Sequence, residues 1–255
     1  MALALACALI WGCVGAPARA QTRTPGQPNV AAGRGATCIV APRPNSLWSL
    51  AQCCSQDLRS NPGCRDYDAA DQYIILKDNS RRKPAAYLII PTIRVTGIED
   101  EQIFAPPVVD FWKYGWQQAR RLVNRPAVDT ALAINSMRGR TQNQLHIHIA
   151  CVLPSVAQRL AGAAKTIGND PAKAERIALG PADHIYRVIK VSGLGGADSP
   201  FDLAAELPGA KADMGAQSIA VVGSPASGAY YVLDTTAEGS NPGAAEELLD
   251  QTCKG

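Results

Sequence analysis

The stretch Gln144-Leu145-His146-Ile147-His148-Ile149 alternates polar and apolar residues without a break. Only an extended strand sets residues i, i+2 and i+4 on one face. Leu145, Ile147 and Ile149 are therefore expected in the core, with Gln144, His146 and His148 projecting together from the opposite face. The chain has three histidines in all, so two on one strand face constrain both the fold around them and what that face does.

Four uses of such a pair compete. It can be a half-exposed strand that happens to carry two imidazoles, a metal site, an acid–base or nucleophilic centre, or a pH switch. A metal site needs a third ligand, and His184, in "PADHIYR", has no ligand-like spacing. Just upstream lie Asn135, Ser136, Arg138, Arg140, Thr141, Gln142 and Asn143, all neutral or cationic donors with no carboxylate among them. A divalent cation would call for negative charge. Phosphate oxygens call for hydroxyls, amides and guanidinium groups. The residues favour imidazole acting on a bound anion, with no metal and no cofactor.

At 255 residues the chain can form one large domain or two small ones. Its formal net charge is only +3, and its basic residues are not interleaved with aromatics, which argues against nucleic acid as a partner. An apolar run from Ala2 to Val14, followed by Ala18-Arg19-Ala20, predicts a signal peptide over residues 1–20, or an N-terminal membrane anchor if it stays uncut. The run is shorter than the ~20 residues of an ordinary membrane-spanning helix. Residues 21–35 read as a flexible linker. Beyond Ala20 stand Cys38, Cys53, Cys54, Cys64, Cys151 and Cys253, an even set that predicts disulfides in an oxidising compartment. Their spacing leaves the pairing open and contains no paired Cys-x-x-Cys motifs for zinc.

The remaining pattern predicts an α+β fold, with hairpins outnumbering crossovers and a mostly antiparallel sheet. Helices are expected from Asn45 or Ser46 up to the Asn61-Pro62-Gly63 turn, from Asp110 to Pro126, over 155–167, after the Ser199-Pro200 cap, and at the C-terminus in "PGAAEELLDQTC". Strands are expected over 73–77 and 86–91, in "VDTALAINSM", through the histidine segment, in "HIYRVIKVSG", and as a hairpin around Pro225–Gly228. The second half loosely echoes the first, which allows two sheet regions. The aromatic segment Phe104 to Trp116 can be core on a helix, an apolar groove, or a contact with the membrane interface.

The segment "GRTQNQLHIHIACV" resembles the signature of the histidine-triad (HIT-like) superfamily: a glycine, a Ser or Thr, then three histidines alternating with apolar residues. Gly139 and Thr141 take the glycine and hydroxyl places, Gln144 stands at the first histidine, His146 at the middle one and His148 at the last. The hairpin strand running into Ile-Pro in "YLIIPTIRV", the helix, and the strand ending in Asn in "ALAINSM" follow the order of that fold. Within the superfamily, "LAINSMRGRTQNQLHIHIACV", "NPGC", "YIILKD" and the Cys-bearing C-terminal end look most like the CDP-diacylglycerol pyrophosphatase family, over about residues 47–253.

The resemblance implies a HIT-like catalytic domain over residues 36–255, with a C-terminal α+β extension. It implies hydrolysis of CDP-diacylglycerol to CMP and phosphatidate at a membrane surface facing the periplasm. His146 would be the nucleophile and His148 would contact phosphate oxygens or assist the leaving group. Asn135, Thr141 and Gln144 would hold non-bridging oxygens, with Arg138 and Arg140 as candidates to neutralise charge. Rival readings are a periplasmic hydrolase of soluble nucleotide conjugates, a non-catalytic module that binds a phospholipid headgroup, and a metal enzyme built on the two histidines. The sequence leaves oligomeric state open.

Overall fold

A computed structural model describes residues 38–254; the expected leader and linker fall outside the described residues. In chain order the elements are α1 (Ser46–Gln56), β1 (Cys64–Asp68), β2 (Tyr73–Lys77), β3 (Tyr87–Pro91), α2 (Phe111–Leu122), β4 (Thr130–Ile134) and β5 (Ile147–Val152). There follow α3 (Pro154–Gly162), β6 (Glu175–Leu179), β7 (His184–Val191), α4 (Pro200–Glu206), β8 (Gln217–Gly223), β9 (Tyr230–Thr236) and the two-residue β10 (Leu249–Asp250).

All strand pairings are antiparallel, in the order β1-β2-β3-β5-β4-β8-β9-β7-β6, with β10 beside β5. The fold is α+β, as expected. The two anticipated sheet regions are joined into one, because β4 pairs with β8 through Ala131↔Val222 to Ile134↔Ile219. The echo between the halves is topological. The order β2-β3-α2-β4-β5 recurs as β6-β7-α4-β8-β9, and each half stacks its four strands in the same way about the β4–β8 seam.

Strand alternation sorts the core into two layers. Ile147 and Ile149 join Ile89, Leu132, Ile219 and Val221 under α2 and α4, where Trp112 meets Phe201 edge-on at 5.4 Å. Both rings are fully buried, and truncating a ring of that size in a core costs about 3–5 kcal/mol. The aromatic segment is therefore core: Phe111, Trp112 and Trp116 are buried, while Phe104 stays partly exposed. On the opposite face, α3 and the C-terminal segment (Ala245, Leu248) cover Ala131, Ala133, Ala150 and Leu233. There α1 places Leu47, Ala51 and Cys54 over Ile74, Leu88 and Ile90.

The cysteines pair as Cys38–Cys53, Cys54–Cys64 and Cys151–Cys253. The last spans 102 residues, a loop whose closure restricts the unfolded chain by about 4.7 kcal/mol. The expected closing helix does not form. Gly243 adopts φ +64°, Ala244 bridges to Asn135, Ala245–Leu248 make one 3-10 turn, and Leu249 and Asp250 pair with Val152 and Cys151. Backbone pairing to β5 and the bond to Cys151 outweigh the helical pattern of so short a segment.

Candidate active site

His148 lies within β5, opposite Leu88 of β3 and Ala133 of β4, and His146 stands just before the strand begins. Both rings leave the sheet on the face that carries α1 and the C-terminal segment. There they line a cavity of about 400 Å³ between these two covers. The rings meet edge-on with centroids 5.1 Å apart.

His146 is held by its own strand. Its Nδ1 is 2.8 Å from the carbonyl oxygen of Gln144. A carbonyl only accepts, so Nδ1 carries the proton and Nε2 keeps its lone pair. Burial, reinforced by the neighbouring His148, lowers the pKa of His146 to about 4. At neutral pH its ring is uncharged, with a lone pair on Nε2.

His148 meets a residue from the far end of the chain. Its Nε2 lies 2.8 Å from Oε2 of Glu246, a close approach without hydrogen-bond alignment. Asn135 fixes Glu246 twice: its Nδ2 donates to Oε2 at 3.1 Å, and its Oδ1 accepts from the Glu246 backbone N–H at 3.1 Å. Nζ of Lys83 is 3.5 Å from Oε1. Burial works against ionisation of Glu246, but His148, Lys83 and Asn135 together outweigh it and hold the carboxyl well below the usual carboxylate range.

Glycine chemistry brings the C-terminal segment this close. A Cβ on Gly139 would sit 2.6 Å from the carbonyl oxygen of Gly243, and one on Gly243 would sit 2.8 Å from Oγ of Ser136. Ser136 ties the contact with its N–H to Gly243 O at 2.8 Å and its hydroxyl to Pro242 O at 2.7 Å.

The family model described as CDP-diacylglycerol pyrophosphatase matches residues 42–255, a span that takes in every residue of the cavity. The chain belongs to the CDP-diacylglycerol pyrophosphatase family. A Yersinia pestis protein of that name is 32% identical over 223 residues, which covers 82% of this chain and 84% of the relative.

Within this family member the sequence-predicted residues divide. His146, His148, Asn135 and Thr141 line the cavity. Gln144 does not: its side chain is fully buried, with Nε2 donating to the carbonyls of Pro91 at 3.0 Å and Ile93 at 2.8 Å. Its backbone carbonyl, which orients His146, is the part that reaches the site. Neither arginine of the turn enters either. Arg140 makes a two-pronged pair with Glu99, and Arg138 donates to Gly239 O at 2.7 Å.

In their place the fold supplies Arg43 and Lys83, which lie 95 and 55 residues before Arg138, in segments where the sequence pattern marks no site. Gln142 joins them, with Oε1 accepting from the Ser46 hydroxyl at 2.9 Å and so locking the start of α1 to the cavity wall. Arg43 lines the mouth and has no ion-pair partner among the described residues. His184, the conceivable third metal ligand, is engaged by Glu247 at 2.8 Å, outside the cavity. Among the described residues no three His, Cys, Asp or Glu side chains converge as a metal-ligand set. No helix among them is long and apolar enough to cross a membrane.

Proposed function

We propose that the protein hydrolyses the diphosphate of CDP-diacylglycerol to CMP and phosphatidate, with His146 as the nucleophile. The observation that carries this reading is the Gln144 carbonyl on Nδ1 of His146. It aims an uncharged Nε2 into a cavity furnished with Arg43, Lys83, Asn135 and Thr141. Nε2 attacks one phosphorus, an N–P bond forms, and the bridging P–O bond breaks to release a phosphate monoester. Water then attacks the same phosphorus and the N–P bond breaks, returning the imidazole. Splitting the reaction replaces attack by water on an unactivated diphosphate with attack on a reactive phosphoimidazole. Fixed donors neutralise the phosphoryl oxygens at each step, the dominant need in such transfers. Arg43 and the Thr141 hydroxyl, both exposed where they line the cavity, take that part. His148, with Glu246 2.8 Å from its Nε2, lies beside His146 to bond a phosphoryl or leaving-group oxygen.

The three disulfides and the apolar leader support an exported, periplasmic setting, with the leader cut or kept as an anchor. The test is CMP release from CDP-diacylglycerol. His146→Ala is expected to lower kcat by on the order of a thousandfold or more. Single-turnover quench under mildly alkaline conditions is expected to trap label on His146 of the wild type. A His146→Ala protein that releases CMP at the wild-type rate sinks the nucleophile assignment.

A further inference from the structure

The cavity can hold a diphosphate but not a diacylglycerol. Among the described residues that line it, only Leu47 and Leu88 carry apolar side chains. Long acyl chains drawn from a bilayer would have nowhere dry to go, so the chains must stay in the lipid while the headgroup reaches His146.

The rim has the composition this requires. Ile39 is 86% exposed and Val40 41%, and they precede Arg43 at the mouth. Met137, 57% exposed, stands between the lining residues Asn135 and Gly139. The loop that brings Lys83 to the cavity also carries Arg81 and Arg82, both exposed and without ion-pair partners among the described residues. Large exposed aliphatic side chains beside unpaired guanidinium groups suit the interface of an anionic membrane. On the far side of Met137 the neighbouring groove carries Glu101 and Asp213, so the charge preference belongs to the 81–83 loop.

We propose that the rim formed by Ile39, Val40, Arg81, Arg82 and Met137 docks the protein on an anionic phospholipid bilayer, so that the headgroup enters the cavity while the acyl chains remain in the membrane. This rests on the reading of the cavity as a diphosphate-cleaving site. The experiment compares full-length wild type with Arg81→Glu/Arg82→Glu and with Ile39→Ser/Val40→Ser/Met137→Ser. Two substrates are used: CDP-diacylglycerol in phosphatidylglycerol-containing vesicles, and a short-chain CDP-diacylglycerol kept below its micelle concentration. Each variant is expected to lose roughly tenfold or more in kcat/KM on vesicles while staying within about twofold on the monomeric substrate. Salt is expected to shrink the effect of the charge reversal. Equal losses on both substrates, or no loss on either, overturn docking by this rim. If the wild type releases CMP from neither substrate, the hydrolase reading fails. Pelleting with phosphatidylglycerol vesicles then decides docking alone, and variants that pellet like the wild type overturn it.

Discussion

Nε2 of His146 is available because the other ring nitrogen is committed to a carbonyl and because the ring is buried. Both effects set its response to pH. Protonation is resisted until about pH 4, where an ordinary histidine would already be charged below about 6.5. The acid limb of kcat/KM attributable to this group is therefore expected near pH 4, measured on a soluble substrate; a limb at 6.5 would mean a solvated, ordinary ring. The sign for stability follows from the same shift. The folded-state pKa is depressed, so the contribution of His146 is complete above about pH 6.5 and is lost as pH falls toward 4. Glu246 acts through His148. Its negative charge 2.8 Å from Nε2 favours the proton on that nitrogen, whereas a neutral amide does not. Glu246→Gln is expected to lower kcat by on the order of 10²–10⁴-fold with little change in KM, and Glu246→Asp to restore part of it. Equal kcat for Glu246→Gln and wild type would remove Glu246 from the mechanism. Local periodicity makes the histidine pair legible in the sequence, but it cannot make Glu246 legible. That residue is 98 positions beyond His148, in a stretch whose pattern reads as an amphipathic helix.

The element that completes the site is the C-terminal segment, and its approach depends on two glycines meeting backbone to backbone. Gly139→Ala puts a methyl group 2.6 Å from Gly243 O, and no side-chain rotation relieves a clash with backbone. The segment must move outward, carrying Glu246 from His148. This substitution is expected to cost about 1–3 kcal/mol in urea denaturation and to reduce kcat as Glu246→Gln does. Retained kcat would show that Glu246 holds its place without the glycine contact. The same element explains where reading by pattern stopped. The hairpin β2–β3, the helix α2 and the cap Ser199-Pro200 of α4 obey local rules and fall where those rules put them. Besides β10, the strands that sequence analysis missed, β1 ("CRDYD") and β6 ("ERIAL"), are the two ends of the sheet's main path. An edge strand with one covered face and charged residues lacks the apolar run that marks a central strand. Arg140 shows the same limit at the turn: the cationic character is visible in sequence, but its partner Glu99 is fixed only by the fold.

For the molecule as a whole, the seam between β4 and β8 decides whether two similar halves behave as one body. Every residue of β4 and of β8 is buried, and Ala133 and Ala220 face each other across the pair. Separating the halves would strip both strands of their ladder partners and lay two apolar faces open to water. One cooperative unfolding unit is therefore expected, and the distribution of tryptophan allows a clean test. Trp48, Trp112 and Trp116 lie in the first half, Trp11 in the expected leader, and residues 151–255 contain none. Tryptophan fluorescence thus reports on the first half and, through Trp112 against Phe201 and Trp116 against Tyr230, on its contact with the second, while far-UV circular dichroism reports on strands of both. With disulfides intact, urea transitions followed by the two signals are expected to coincide in midpoint and slope. Transitions that separate in midpoint would mean that the halves melt apart and that the seam does not couple them.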